Sequence, residues 1–435
     1  MVWASALTLI GLATQGPPTL SLAQAERLAV EHAFAVRIAK SNVEKALQQR
    51  RQAEGGLGPR LDLAATYTRL DERATVFPGS ETQDPILGPI DTKVTRLSLV
   101  FPIDLFGVLR KSVQAAELNR RATADLLADQ VNAVKNLVRD AYYEILRADQ
   151  VLEVQKEALA SAEERLDKAR KRLDAGAIAK FDVLRFETEV SRAQAAVIAA
   201  TNRRKQAKNN LNSVLGRPIE TAFETEPVVA SAALLPAADR YVEAALRNRP
   251  DLRSAQNIVL AYERILKTAM GGNLPTLSLG ATHTWTIDPG FGGRENQTVA
   301  TAQLTFNVFD SGITRAKVAS AREELEQARI RLEQLRLAAS LEVRQALIRA
   351  ENALQTLEVA ERTVVQQREA LRVAQLKFDV GEGILLDVTD AQVELTRAQE
   401  AVIAARFDYL SAYAALQRAV GVDELGSALS GAPTP

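Results

Sequence analysis

The sequence predicts a mainly α-helical chain with a small β part, written as two copies of one unit and built on helices too long for a compact domain. Three observations predict this. Aligned on itself without a gap, Leu173 to Gly216 against Phe378 to Gly421, the chain matches at sixteen of forty-four positions, where chance gives about three. Several short segments alternate apolar with small polar residues at period two, the pattern of a strand with one apolar face. Two long uninterrupted stretches, 110–173 and 315–378, end in an apolar repeat of seven.

Composition narrows the function classes. The 435 residues are 47% apolar, ample for a core, and carry 54 basic against 54 acidic side chains, so no net field recruits nucleic acid or an anionic surface. Without cysteine there is no disulfide framework, thiolate metal site, cysteine nucleophile or lipidated cysteine in these residues. The opening "MVWASALTLIGLA" is apolar, uncharged and ends in small residues. It reads as the core of a secretory signal, taken as residues 1–19, although no Lys or Arg precedes Arg27 to supply a basic leader.

The first copy is expected over 20–220, a linker over 221–235, the second copy over 236–421 and a flexible tail over 422–435. Each copy reads helix, strand, loop, strand, very long helix, turn, helix. The first helix is expected from about Ser21 to Ala53. Strands follow where Leu61, Leu63, Ala65 and Tyr67, then Leu97, Leu99, Phe101 and Ile103, fall on one face. "GPRLDLAATYT" from Gly58 pairs with "LPTLSLGATHT" from Leu274 at an offset of 216, and "LSLVFPIDLFGVLR" with "AQLTFNVFDSGITR" at 205. The difference lies in "DERATVFPGSETQDPILGPID", a longer insert that marks an exposed loop. In the second copy Leu277, Leu279, Ala281, His283 and Trp285 share a face, as do Leu304, Phe306 and Val308.

The long helices, about Arg110 to Leu173 and Arg315 to Phe378, would each measure roughly 95 Å. Leu152, Leu159, Leu166 and Leu173 form a seam of period seven, matched by Leu357, Val364, Leu371 and Phe378, so each faces another helix at coiled-coil spacing. A last helix from about Asp182 to Val214 completes the first copy. Together the two flanking helices match the long one in length.

Four strands with one apolar face leave two open edges and an uncovered surface. Strands of about ten residues suit a bilayer crossing in a closed barrel with a wet interior, and three chains would supply twelve. Alternation alone equally allows a small sheet packed against helices in a soluble protein.

In order and twice over, these segments resemble the TolC family of outer-membrane efflux and secretion channels. The likeness covers about residues 20 to 421. "FNVFDSGITRAKVASA" resembles the family's strand-to-helix segment and "KFDVGEGILLDVTDAQVELTRAQ" its helix-turn-helix tip. The resemblance implies a homotrimer with a twelve-stranded barrel in the outer membrane and an α-helical tunnel across the periplasm. It implies as partners a periplasmic adaptor and an inner-membrane pump, with no cofactor and no nucleic acid.

Asp387 and Asp390 match the family's pair of pore-lining aspartates. Three apart, they share a helix face, so three chains would stack two rings of carboxylates in the pore, attracting cations. An acid in a first helical turn also complements the dipole or caps N–H groups. Asp182 aligns with Asp387, but Arg185 stands where Asp390 does, so capping alone does not require the second acid. Asp387 is read as serving both purposes. The family's tip lock joins the acid at Asp182 to a tyrosine and an arginine. Here those two positions are Phe378 and Gly383, leaving Lys180 or Arg185 as a substitute charge. Gly176 and Gly381 read as turn glycines at positive φ.

No enzyme pattern emerges. His32 and His283 have no metal-ligand spacing, and neither "GG" pair sits in a phosphate-binding loop. The competing reading is a periplasmic coiled-coil adaptor or scaffold without a pore, against which the duplicated strand pairs count.

Overall fold

The computed structural model describes residues 18–72, 75–77, 86–87, 89–176, 178–228, 238–289, 293–380 and 382–423. In chain order the elements are β1 (Thr19–Leu20), α1 (Leu22–His32), α2 (Phe34–Gly55), β2 (Arg60–Arg69), β3 (Thr75–Phe77), β4 (Ile86–Leu87), β5 (Asp91–Ile103), α3 (Val108–Asp174) and α4 (Lys180–Val214). Then come β6 (Glu224–Thr225), α5 (Ala238–Asn248), α6 (Pro250–Met270), β7 (Thr276–Ile287), β8 (Asn296–Thr305), α7 (Ile313–Asp379) and α8 (Leu385–Val420). The protein is mostly helical, and α3 and α7, with 67 residues each, run roughly 100 Å. No helix among the described residues is long and apolar enough to cross a membrane. Two compact units result: Met1–Lys40, Leu127–Pro250 and Arg336–Pro435 form the first, Ser41–Leu126 and Asp251–Leu335 the second.

The second unit holds an antiparallel sheet in the order β2-β5-β7-β8. Its register aligns the apolar positions: Leu61 faces Leu99, Leu99 faces Ala281 and Ala281 faces Ala300. Among the described residues nothing covers that face, and Leu63 on it is 70% exposed. Among the described residues nothing pairs with the outer edge of β2 or of β8. The insert between β2 and β5 is more than a loop, because β3 and β4 pair as a short hairpin.

The fourth strand ends at Thr305, earlier than its alternation suggests, and Phe306 and Val308 lie in the turn beyond it. The reason is the helix start. Asp310 accepts the backbone N–H groups of Gly312 (3.0 Å) and Thr314 (2.7 Å) on its two carboxylate oxygens, while Ser311 and Gly312 take positive φ. These bonds turn the chain off the sheet and satisfy N–H groups that a helix start leaves open.

In the first unit Ser21 and Gln24 open α1 as a reciprocal cap, at 3.3 and 3.1 Å. The helix expected from Ser21 to Ala53 is broken at Ala33, where ψ is 131°. The second copy breaks at Arg249, just before Pro250, a residue that disfavours helix before it. Each break meets the glycine that closes its own half. A Cβ on Gly216 would lie 2.8 Å from the His32 carbonyl oxygen, and one on Gly421 3.1 Å from the Arg249 Cα. Both have positive φ, so no other residue fits without strain.

The main core of this unit surrounds Tyr142, which is fully buried. Its hydroxyl lies 2.8 Å from the Leu20 carbonyl and accepts the Glu226 N–H at 2.8 Å. That ties α3 to β1 and to the linker. β1 pairs in parallel with β6, which brings Thr19 onto the folded body; residues 1–17 of the expected leader lie outside the described residues. Of the expected tail, Val422 packs on a core cluster and Asp423 pairs with Lys135 at 2.7 Å, while residues 424–435 lie outside the described residues, as do 229–235 of the linker.

The seams pack as their period demands. Leu159, Leu166 and Leu173 of α3 meet Val183, Phe186 and Val190 of α4. Val364, Leu371 and Phe378 of α7 meet Val388 and Leu395 of α8. Burying each such side chain contributes about 1.5 to 3 kcal/mol, and Ala162, Ala169 and Ala374 between them allow close approach.

Candidate functional site at the helix tips

Two turns, α3 to α4 and α7 to α8, carry every residue singled out for a pore or gate, and both belong to the first unit. At the first, the N–H of Gly176 closes α3 on the Leu173 carbonyl at 2.8 Å, with φ +73 and open space around it. Ala179 precedes α4 and has no polar side chain to offer. Asp182 does that work from inside the helix, its Oδ2 accepting the Ala179 N–H at 3.3 Å, half of a capping box. Arg185 lies over the ring of its neighbour Phe181 at 4.8 Å. Lys180 makes no ion pair among the described residues.

The second turn is tighter. The Lys377 carbonyl accepts the N–H groups of Glu382 (2.9 Å) and Gly383 (3.0 Å). A Cβ on Gly383 would lie 3.0 Å from the Lys377 Cβ and 3.1 Å from the Phe378 nitrogen, so a side chain here would crowd the turn. Gly381 lies outside the described residues. No side chain caps α8. The capping bond expected of Asp387 is therefore not formed, and only its first-turn position remains to favour the helix dipole. Asp387 and Asp390 are both exposed, and neither side chain makes a hydrogen bond or ion pair among the described residues.

The two tips meet through a residue that sequence reasoning passed over. Arg172, in the last turn of α3, lies 5.2 Å over the Phe378 ring and 3.2 Å from Asp379 Oδ1. Behind it Arg165, mostly buried, binds Glu189 of α4 and, at 3.1 Å, Gln392 of α8. A cleft of about 700 Å³ separates the tips and brings together Arg172, Asp182, Arg185, Phe378 and Gly383. A second, of about 530 Å³, is lined by Arg165, Arg185, Glu189 and Asp390. Asp387 and Lys180 line neither. No cluster of residues among those described could hold a metal ion.

The sequence matches the family model described as outer membrane efflux protein over residues 27–217 and 241–422. The chain belongs to the outer membrane efflux protein family. Among its relatives, the outer membrane efflux protein BepC of Brucella suis is 29% identical over 73% of this chain and 70% of that one. The outer membrane protein TolC of Escherichia coli is 24% identical over 95% and 85%. In structure the chain is similar to the CmeC outer membrane channel of Campylobacter jejuni, with a TM-score of 0.77 at 19% identity, covering 92% of this chain and 85% of that one.

An efflux protein of the outer membrane, with a tunnel in the periplasm, thus has at its tips a cation that the family's lock did not lead one to expect. Arg172 sits in "KARKR", where five residues hold four cations. Three of these pair within their own hairpin: Lys168 with Glu164, Arg170 with Glu187 and Lys171 with Asp167. Composition cannot single out the fourth. The only sequence signal is that Arg172 directly precedes Leu173 of the seam, which sets it at the edge of the interhelical face.

Proposed function

We propose that the chain is the passive exit duct of a tripartite efflux pump or a type I secretion system, acting as a homotrimer with a periplasmic adaptor and an inner-membrane pump. One observation carries the reading: a four-stranded sheet that, among the described residues, has both edges unpaired and an uncovered apolar face. Three copies give twelve strands, a number that closes. The first unit adds support, since Leu337, Leu341, Ile348 and Val359 of α7 are all more than half exposed. Their spacings of four, seven and eleven keep them on one helix face, a stripe suited to a helix of a neighbouring copy. The family is one of transport ducts and not of enzymes.

Within that reading Asp387 and Asp390 form two rings of three carboxylates that favour cations in the pore, and Arg172 with Phe378 and Asp379 holds the tips together. A scaffold without a pore would leave the apolar sheet face unused. Light scattering of the protein in mild detergent should give the mass of three chains, and planar bilayers should show ion conductance. A monomer that stays in the soluble fraction without detergent would overturn the proposal.

A further inference from the structure

The two faces of the β2-β5-β7-β8 sheet carry charge differently. Leu61, Leu99 and Ala281 mark the apolar face, and by parity the alternate residues, Asp62, Arg96, Thr284 and Gln297 among them, share the other. Arg69, Asp91 and Lys93 fall on the apolar face, at the end of the sheet away from α3 and α7. There Asp91 accepts the Tyr67 hydroxyl at 2.7 Å and lies 3.7 Å from Arg69. On the small-polar face Arg60 and Asp62 neutralise each other at 2.8 Å. That leaves Arg96 as the cation of this face without a partner among the described residues.

Arg96 stands at mid-strand between Ala64 on β2 and Thr284 on β7, short neighbours that do not shield it, and it is exposed. Asp62 lies diagonal to it on the ladder, but Arg60 holds that acid. Glu295, whose carbonyl accepts the Thr286 N–H just before β8, joins the same face across β7, with its backbone roughly 12 Å away. No ion pair joins the two. Around Arg96 the wall is mostly hydroxyl, as at Thr66, Ser98 and Thr282. A charge at mid-sheet is costly against lipid and cheap in water, so in a closed barrel this face lines the lumen. Twelve strands about 4.8 Å apart and tilted about 40° set the wall roughly 12 Å from the axis. An extended arginine covers about half of that, which places three guanidiniums roughly 10 Å apart, close to the screening length of physiological salt. Their fields overlap on the axis.

We propose that Arg96 forms an anion-binding girdle inside the barrel: three guanidiniums take the carboxylate, phosphate or sulfonate groups of an organic polyanion in transit. The proposal rests on the trimeric duct reading. It adds to that duct a selector in the barrel wall, opposite in sign to Asp387 and Asp390. The strand itself does not call for the charge, since a threonine at position 96 would suit a sheet at least as well.

The test measures, by fluorescence anisotropy, binding of pyrenetrisulfonate, a fluorescent trianion, to the full chain purified in uncharged detergent. One dye should bind per three chains. Arg96→Gln should weaken binding about a hundred-fold at low salt, the Coulomb gain of a trianion on the axis of three charges. Arg96→Lys, which keeps the charge, should retain most of the affinity, and neither change disturbs packing at an exposed position. Lys93→Gln is the control, because it removes a cation from the same strand on the opposite face. Unchanged binding in Arg96→Gln, an equal loss in Lys93→Gln, or one dye per chain overturns the girdle. Light scattering and conductance on the same preparation separate the two ideas: a conducting trimer whose dye affinity ignores Arg96 sinks only the girdle, whereas a monomer sinks the duct and the girdle with it.

Discussion

The α3–α4 and α7–α8 tips share a sequence register, and their acids behave differently. Asp182 is engaged by the backbone it caps, whereas among the described residues the side chains of Asp387, aligned with it, and of Asp390 make no bond. Local secondary structure uses up the first acid and leaves the other two side chains unbonded among the described residues, as the proposed pore role requires. A repeated sequence can thus keep a structural residue in one copy and release its counterpart in the other.

The widest separation between the tips should come from Asp387→Asn combined with Asp390→Asn. In planar bilayers, block by trivalent cations should weaken a hundred-fold or more, as a rough expectation for rings of fixed charge, and the reversal potential in asymmetric salt should lose its cation preference. Asp182→Asn should change neither. An equal shift from Asp182→Asn would abolish the distinction between the tips.

A fully engaged acid elsewhere gives the reference for what engagement does. Hydrogen bonds from Arg120 and Arg121 in α3 hold the Glu117 carboxyl down to about 2. Because its folded value lies below the unfolded one, its contribution is present above about pH 4.5 and disappears as pH falls towards 2, amounting to about 2 kcal/mol once solvent screening is allowed for. Unfolding of Glu117→Gln should lose that acid-side slope. Asp387→Asn, which removes an unbonded acid, should keep it.

Turn geometry offers a finer contrast. Gly383→Arg, which restores the side chain the family's lock calls for, should destabilise its tip by about 1 to 3 kcal/mol through overpacking against Lys377 and Phe378. Gly176→Ala meets open space and should cost only the positive φ, about 1 kcal/mol. Limited proteolysis of the tips reads both. If Gly383→Arg is as resistant as the parent protein, the close approach does not constrain the turn.

The smallest effect belongs to the bridge between the tips. Arg172 and Asp379 are both well exposed, so their ion pair and the stacking on Phe378 together hold the tips by about 1 kcal/mol. Arg172→Ala should raise the open fraction in single-channel records by roughly five-fold. Asp379→Asn, which keeps the stacking, should raise it less. Equal effects would assign the whole bridge to charge.

Much of this was legible in residues. Period-two alternation gave the shared apolar face from Leu61 across to Ala300, since a sheet side is fixed by parity alone. The seven-residue seams gave the α3–α4 and α7–α8 hairpins, because helix faces are fixed by spacing. The break at Ala33 escaped, since the residue it meets is the distant glycine Gly216, whereas the one at Arg249 is marked locally by Pro250 as well as by its approach to Gly421. The end of β8 at Thr305 escaped for a similar reason, as the cap at Asp310 outweighs continued alternation.

By itself the sequence determined the order of elements, the amphipathic faces and the placing of two acids three residues apart, all consequences of local period and side-chain chemistry. Only the tertiary structure decided which acids are bonded, that a side chain at position 383 would crowd Lys377 and Phe378, and that Arg172 among four neighbouring cations reaches across to Phe378 and Asp379. The first two depend on the backbone path of each turn, and the last on through-space approach of a few ångströms between segments some two hundred residues apart, which no local pattern encodes.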